Sequence, residues 1–239
     1  MIPAFIVPVY GRWDLTYRML TSINRPVARG LLVDNRRDYV WTGGVELPEG
    51  FRVHTPPYES LGWGGTLNFA ITQMSGAPWW MWCTNDIILG PDTMQTLADV
   101  MQDAGDRPTV MTHRWAVGAL NRAAVQAVGL FDEWSYHPIY FEDTDYAYRC
   151  HLAGATVLID EMGVQEGVDG VEHSVTTRTD PVLSMANNRT WMLNEAAYVA
   201  KWGGLPGKEQ FTSPWGKALP LWAVRPDLDG RELRRWPSQ

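Results

Sequence analysis

The first half of the chain alternates short apolar runs with segments in which apolar residues recur at helical spacing. The runs end at or near polar residues or glycine, which is the pattern of buried strands. Strands are predicted at 4–9, 31–33, 51–54 and 79–83. Helices are predicted to begin at Asp14 as the N-cap, at Gly62, and at Pro91 as the first helical residue. Strands that alternate with helices predict an α/β fold with a mostly parallel, doubly wound sheet.

The pattern changes after residue 106. Two strands are predicted at 109–111 and 115–120, followed by a helix capped by Asn121, an acid-rich helix, a strand at 157–159, a loop and a helix at 187–201. We expect two halves of one continuous domain, 1–106 and 107–200, that share a sheet. We also expect a C-terminal tail, 201–239, that packs on the domain or on a partner, because it is too apolar for a free segment. Its large apolar side chains are Trp202, Phe211, Trp215 and Trp222.

Composition and charge narrow the class of protein. The 239 residues carry a net charge of −7, which argues against a nucleic-acid-binding protein with its basic face. An anionic ligand would then be held by local groups or by a cation. The two cysteines, Cys83 and Cys150, have no metal-binding spacing, and we expect free buried thiols. No apolar run approaches ~18 residues and the N-terminus lacks a basic flank, so a soluble, cytoplasmic protein without a transmembrane segment is expected.

The segment 141–149 carries the strongest chemical signal. It holds three acids, Glu142, Asp143 and Asp145, followed by Arg149. Acids favour the first turn of a helix, where the helix dipole is positive. Glu142 and Asp143 are therefore expected at a helix N-terminus that faces a cleft, which suits a carboxylate that must remove a proton.

Three predicted strand ends carry polar residues, at 10–12, 34–35 and 85–86. Ligands of open parallel sheets bind beyond the carboxyl ends of the strands. Asp34 is suited to accept hydrogen bonds from a base or a ribose, and Asp86 to bind Mg²⁺ or Mn²⁺ together with a diphosphate. For each, the alternative is an aspartate that caps a turn.

Glycines before a helix allow the backbone to approach a phosphate or a sugar closely, and they are also ordinary loop residues. The segment Gly62-Trp63-Gly64-Gly65 has this pattern but is not the dinucleotide-binding GxGxxG. His173 follows the acid-rich helix by about 30 residues, and a lone histidine is more often structural than a metal ligand. His113 and His137 lie in loops near the expected site.

The order of the motifs resembles the GT-A glycosyltransferases of family 2. The nucleotide-binding half is matched by Ile6-Val7-Pro8-Val9-Tyr10, Val33-Asp34-Asn35, Gly62-Trp63-Gly64-Gly65 with Asn68, and Thr84-Asn85-Asp86. The acceptor half is matched by Gly129-Leu130-Phe131-Asp132-Glu133, the segment 141–149, and His173. Rhamnosyl- and galactofuranosyl-transferases are the most similar members, and the resemblance covers residues 3 to 175. The later Lys201-Trp202-Gly203-Gly204 looks like the tail of small stand-alone bacterial and phage members.

The resemblance implies roles for individual residues. Asp143 falls at the catalytic base with Glu142 beside it, and Asp86 and His173 fall at the ligands of a Mn²⁺ or Mg²⁺ ion. Contacts to the nucleotide sugar are implied for Pro8, Tyr10, Arg12, Asp34, Gly62, Trp63, Gly64, Asn68, Asn85 and Asp86. Trp134, Tyr136 and Asp145 are expected to contact the acceptor. The metal motif usually has two or three acids, whereas here Thr84 and Asn85 precede Asp86, and this departure is expected to weaken metal binding.

The expected activity is an inverting transfer of a sugar from a UDP- or dTDP-linked donor to a hydroxyl of a glycan or protein. The thinned metal motif instead favours a non-catalytic sugar-nucleotide or glycan-binding module on a degenerate site. A nicotinamide-dependent oxidoreductase fits the alternating strands but lacks the glycine fingerprint.

Overall fold

A computed structural model describes residues 1–39, 46–160, 162, 165–166, 175–179 and 181–221. The strands are β1 (Phe5–Val9), β2 (Gly30–Asp34), β3 (Phe51–His54), β4 (Trp79–Cys83), β5 (Ile87–Ile88), β6 (Thr109–His113), β7 (Val117–Asn121), β8 (Thr156–Ile159) and β9 (Gln165–Glu166). The helices are α1 (Trp13–Thr21), α2 (Gly62–Gln73), α3 (Thr93–Ala104), α4 (Arg122–Val128), α5 (Glu142–Leu152), α6 (Val175–Thr179) and α7 (Pro181–Trp202).

One seven-stranded sheet runs through the molecule in the order β3-β2-β1-β4-β7-β6-β8. Within it, β7 is antiparallel to both of its neighbours, and the other pairings are parallel. The predicted α/β fold with a mostly parallel sheet is thus confirmed. A separate two-stranded sheet pairs β5 with β9 in antiparallel register.

Helices cover both faces of the sheet. On one face α2, α4 and α5 bury an aromatic-rich cluster around Trp63, Trp82 and Phe131. On the other face α1 and α3 bury a cluster of aliphatic residues and methionines, among them Leu20 and Met94. Because the central strands β1, β2 and β4 are buried on both faces, they read as nearly continuous apolar runs.

Two predicted helix starts are each wrong by two residues. The N-cap of α1 is Arg12, in a left-handed conformation, and Asp14 is the second helical residue, where its carboxylate lies 2.8 Å from the Arg12 guanidinium. Pro91 is not in α3, because a turn closed by the Thr93 N–H donating to the carbonyl of Gly90 delays the first helical residue to Thr93. The predicted cap Asn121 is confirmed, and its side chain accepts a hydrogen bond from the backbone N–H of Ala124.

Among the described residues, no helix is long and apolar enough to cross a membrane.

Candidate active site

A cleft of about 670 Å³ opens at the edge of the sheet where the parallel strands end. This volume is in the usual range for a small-molecule site. Its walls come from the segments that follow β1, β2, β4 and β6, and from α2, α5 and α7. Eight of the predicted site residues line it, namely Pro8, Tyr10, Gly62, Trp63, Asn85, Asp86, Glu142 and Asp143.

The carboxyl pair lies at the first turn of α5, as the acid pattern predicts. The preceding residue, Phe141, has a φ of 74° and so turns the chain sharply into the helix. Asp143 is half-buried, and its Oδ1 accepts hydrogen bonds from the Thr144 backbone N–H at 2.7 Å and from the Thr144 hydroxyl at 3.2 Å. Burial outweighs these bonds and raises the pKa of Asp143 above that of an ordinary aspartate. A carboxylate with a raised pKa in a cleft is a stronger base than an exposed one.

Glu142 is more deeply buried than its neighbour, with 2% of its surface exposed. Burial, followed by the nearby charge of Asp143, raises the pKa of Glu142 well above its usual value. Its Oε2 has no hydrogen-bond partner among the described residues. Gly64 lies next to it, and a Cβ at Gly64 would touch the Glu142 Cγ at 3.4 Å.

Asn85 and Asp86 line the same cleft, directly after β4. Asn85 is anchored by its amide, which donates to the Gly11 carbonyl at 3.1 Å and to the Thr16 hydroxyl at 3.2 Å. The Asp86 carboxylate accepts from the Thr84 hydroxyl at 2.9 Å and from the backbone N–H of Thr176 at 3.2 Å. Both residues therefore have fixed positions in the cleft wall.

Among the described residues, Asp86 is the side chain that would bind a divalent cation in the cleft. The described part of the chain contains no group of three or more histidine, cysteine, aspartate or glutamate side chains that could hold a metal ion. Each Asp86 oxygen accepts one hydrogen bond and retains a further lone pair. One carboxylate fits a Mg²⁺ or Mn²⁺ that takes its remaining ligands from water and substrate phosphates, not an all-protein cage. The other predicted ligand, His173, lies outside the described residues.

At the end of β2 the cleft is lined by Asn35 and not by the predicted Asp34. Asp34 is fully buried, and its two oxygens accept backbone hydrogen bonds from Arg37 and Tyr39, each at 2.9 Å. It therefore caps the turn, which is the alternative that the sequence left open. Asn35 accepts from the backbone N–H of Leu61 at 2.8 Å and so joins this turn to the start of α2.

The glycine-rich start of α2 shapes the floor of the cleft. Gly62 has a φ of 69°, and a Cβ there would lie 2.4 Å from the Pro138 carbonyl oxygen, so a side chain is excluded. The backbone N–H of Trp63 donates to the same oxygen at 2.9 Å. The predicted contact residues Gly64 and Asn68 do not line the cleft. Asn68 instead clamps the backbone N–H and carbonyl of Phe131, each at 2.9 Å.

Four further predicted residues lie away from the cleft lining. Arg12 pairs with Asp14, and Trp134 is 64% exposed on the surface. Tyr136 and Asp145, with 1% and 0% of their surface exposed, are buried in a polar cluster with the C-terminal residues. Contact of these four residues with a substrate stays a prediction.

Several residues without a clear sequence signal complete the walls. Arg114 and Trp115 form the turn between β6 and β7, and both have positive φ values, 46° and 59°. For residues other than glycine this backbone conformation is strained, and such strain is often found at functional sites. Asn187 and Thr190 of α7 line the cleft three residues apart, which is one face of a helix. His137, which the sequence placed near the site, lines the cleft as well, but His113 does not.

Comparisons with known proteins bear on the fold. No family model matches the sequence. Uncharacterised proteins of Mycobacterium tuberculosis and Mycobacterium bovis are 34% identical over 103 residues, which is 41% of this chain and 37% of theirs. The chain thus matches little more than a third of the length of these relatives.

Solved structures of the S. aureus protein TarS are similar over a larger part of the chain. The fragment 1-349 aligns with a TM-score of 0.51 and 15% identity over 69% of this chain and 60% of the fragment. Its complex with UDP aligns with a TM-score of 0.53 and 14% identity over 83% of this chain and 66% of the fragment. The chain has a GT-A-type fold. The fragment has also been solved in complex with UDP-GlcNAc, with a TM-score of 0.50.

Proposed function

We propose that this chain is an inverting glycosyltransferase that moves a sugar from a nucleoside-diphosphate donor to a hydroxyl of a glycan or protein acceptor. The observation that carries the proposal is the pairing of Glu142 and Asp143 with Asn85 and Asp86 in one cleft of a GT-A-type fold. The order of the motifs, which resembles family 2 of these enzymes, adds support. The UDP and UDP-GlcNAc complexes of TarS make uridine donors the first to test, and dTDP-linked sugars the second.

In this mechanism Asp143 is the general base. It removes the proton of the acceptor hydroxyl as that oxygen attacks the anomeric carbon, while the bond from this carbon to the diphosphate breaks on the opposite face. The partly exposed Asp143 is better suited to this role than Glu142, because deeper burial keeps Glu142 in its neutral form to higher pH. Glu142 then orients a substrate group by hydrogen bonding.

A divalent cation bound by Asp86 and His173 would neutralise charge on the leaving diphosphate. On the protein side, Asn85 and Asp86 orient the diphosphate end of the donor, and Tyr10 and Asn35 border the space for the nucleoside. We further propose that 1–106 and 107–200 supply the donor and acceptor halves of the site, and that the protein acts in the cytoplasm.

Asp143→Asn tests the base. We expect donor binding to stay close to that of the wild type and the fold to be at least as stable, while transfer falls by at least roughly 10²-fold, because the amide keeps the shape and loses the basicity. Release of UDP from UDP-GlcNAc and calorimetric binding of UDP measure the two steps separately. Glu142→Gln should cost less. A product with retained anomeric configuration, or undiminished turnover of Asp143→Asn, would contradict the assignment, and binding without turnover in the wild type would favour a binding module.

Asp86→Ala tests the cation. The wild type should bind UDP more tightly with Mn²⁺ or Mg²⁺ than with a chelator present, and the variant should lose most of this difference, because its diphosphate-side carboxylate is gone. Calorimetric titration of UDP in the presence and absence of metal measures the effect. Equal affinities of the wild type under both conditions would remove the cation from the mechanism and leave the base assignment intact.

A further inference from the structure

Two buried polar atoms in the cleft wall have no hydrogen-bond partner among the described residues. They are Oε2 of Glu142 and Nδ2 of Asn187. Glu142 is 2% exposed and Asn187 is 9% exposed, and both residues line the cleft. An unpartnered buried polar group destabilises a folded protein, so each such group in a native structure needs an explanation. A ligand that enters the cleft and completes both bonds is such an explanation.

The two groups belong to elements that pack directly on each other. Trp191, one turn after Asn187, lies with its ring centroid 5.1 Å from that of Phe141, the residue before Glu142. Asn194, a further turn on, donates its amide to the carbonyls of Ile139 and Tyr140 at 2.9 and 3.0 Å. This part of α7 is thereby fastened to the segment that leads into α5. Asn187 and Glu142 are therefore both held by packed elements and not by mobile loops.

The chemistry of the pair selects a hydroxyl-bearing ligand. The Asn187 amide donates hydrogen bonds, and a carboxyl oxygen exchanges them with hydroxyl groups. Thr190 lies on the same face of α7, and its hydroxyl donates to the Ala186 carbonyl at 2.9 Å, which leaves its lone pairs available to accept. An anion would be repelled by the neighbouring Asp143, and an apolar group would leave both atoms unpartnered.

We propose that Asn187 and Glu142 form a subsite that binds the hydroxyl groups of a sugar or polyol. The assignment rests on the proposed transferase function and adds α7 to its substrate-binding residues. The hydroxyls come either from the sugar of the donor or from the acceptor, and these two sources are separable by experiment. Asn187 acts as a positioning residue and takes no part in proton transfer.

Asn187→Ala tests the subsite, and Asn188→Ala, an exposed neighbour on the same helix, is the matched control. One arm measures the dissociation constants of UDP and of UDP-GlcNAc by calorimetry. If the wild type prefers another of the UDP-, dTDP- and GDP-linked sugars in a thermal-shift screen, that sugar and its free diphosphate are used. A second arm measures the rate of nucleoside-diphosphate release against the concentration of mannitol as a polyol acceptor.

Loss of a hydroxyl contact should weaken the affected step roughly three- to tenfold. A rise in the dissociation constant of the nucleotide sugar but not of the diphosphate assigns the hydroxyls to the donor, and a rise in the KM for mannitol assigns them to the acceptor. Thermal unfolding of Asn187→Ala should match that of the control, since Nδ2 makes no hydrogen bond among the described residues that the variant would lose. Identical behaviour of the two variants in both arms would overturn the subsite. A wild type that binds no nucleotide sugar would overturn the proposed function, and the subsite with it.

Discussion

Glu142 and Asp143 are adjacent acids with different surroundings. Glu142 is almost fully buried beside Gly64, while Asp143 is only partly buried and is hydrogen-bonded by Thr144. Burial raises the pKa of both carboxyls, and the nearby Asp143 charge adds to the effect on Glu142. Two carboxyl groups whose surroundings separate their pKa values are suited to different roles, one as a base and one as a neutral hydrogen-bonding group.

The raised pKa of Glu142 predicts how stability depends on pH. A carboxyl whose pKa is higher in the folded than in the unfolded state stabilises the fold fully only below its unfolded pKa, about 4.3, and this stability is lost as pH rises toward the folded pKa. Glu142→Gln is neutral at every pH. We therefore expect the variant to be more stable than the wild type at pH 7, with a difference that shrinks as the pH is lowered toward about 4.

Urea unfolding at a series of pH values measures this difference. Glu49→Gln removes an exposed carboxyl and is the control that should change stability little. If Glu142→Gln is less stable than the wild type at pH 7, the buried carboxylate has a stabilising partner, and its assignment as an uncompensated group is wrong.

At the scale of single residues, the sequence predicted those positions in the cleft that depend on local chemistry. The acids of α5 and the polar end of β4 were predicted to face one cleft, because acids mark the start of a helix and parallel strands end at one edge. That Asn35 and not Asp34 lines the cleft could not be predicted, since the two neighbours differ only in the direction that the turn gives each side chain. Asn187 carries no local signal at all, because its place in the cleft depends on how α7 packs on α5.

Helices α5 and α7 are joined by a buried network of charges. The Lys201 ammonium donates to Asp132 at 2.8 Å and lies 2.7 Å from Asp145, while the Arg149 guanidinium donates to Asp145 at 2.7 Å. The indole N–H of Trp202 donates to Asp145 at 2.8 Å. Burial alone would raise the pKa of Asp132, but Lys201 outweighs this and keeps that pKa below its usual value. Two acids and two bases thus balance one another in the interior.

Lys201→Met would leave Asp132 and Asp145 buried with Arg149 as the remaining cation of this network. Removing one partner of a buried ion pair typically costs about 3–5 kcal/mol, because the remaining charge is uncompensated. We expect the free energy of unfolding to fall by about that amount in urea titrations at neutral pH. Because Asp145 lies in the first turns of α5, nucleotide-sugar turnover should fall as well.

Lys208→Met is the matched control, since Lys208 is exposed in the same C-terminal region and its substitution should change stability by no more than about 0.5 kcal/mol. Equal stability of the two variants would mean that the network contributes nothing to the packing of α7. Asp132→Asn combined with Lys201→Met removes one charge of each sign and should recover part of the loss.

The lengths of the elements set a limit on what periodicity predicts. α7 is longer than the predicted 187–201, since few positions before Asn187 form an apolar stripe and Met185 is exposed. The strands β5 and β9 have two residues each, too few for a pattern. The longer apolar runs predicted the parallel strands correctly, but the antiparallel direction of β7 is set by the tight turn at Arg114 and Trp115, which lacks the glycine that usually marks such turns.

At the scale of the whole molecule, the segment after α7 folds back onto the domain. The carbonyl of Trp202 accepts the backbone N–H groups of Gln210 and Phe211 at 2.9 and 3.0 Å. The Tyr148 hydroxyl of α5 donates to the Phe211 carbonyl at 2.9 Å, and Glu209 accepts from the Tyr198 hydroxyl at 2.5 Å. Residues 209–211 therefore contact α5 and α7. Packing of the whole segment 201–239 stays a prediction, and Trp222 lies outside the described residues.

The turn at Gly203 and Gly204 makes this return possible. Gly203 has a φ of 77°, and a Cβ at Gly204 would lie 2.0 Å from the Lys208 carbonyl oxygen, a distance that only a backbone shift can relieve.

Gly204→Ala should therefore open the turn. We expect it to lower the free energy of unfolding by about 1 kcal/mol or more and to speed trypsin cleavage at Lys208. Gly76→Ala is the control, because a Cβ there would meet its nearest neighbour, the end of the Arg29 side chain, at 3.6 Å. Melting temperature and the rate of tryptic cleavage report on the two effects. If Gly204→Ala melts and is cleaved as the control does, the C-terminal segment is not fastened by this turn. If the variant is loosened and donor turnover falls with it, the segment supports the position of α5 and with it the proposed transfer activity.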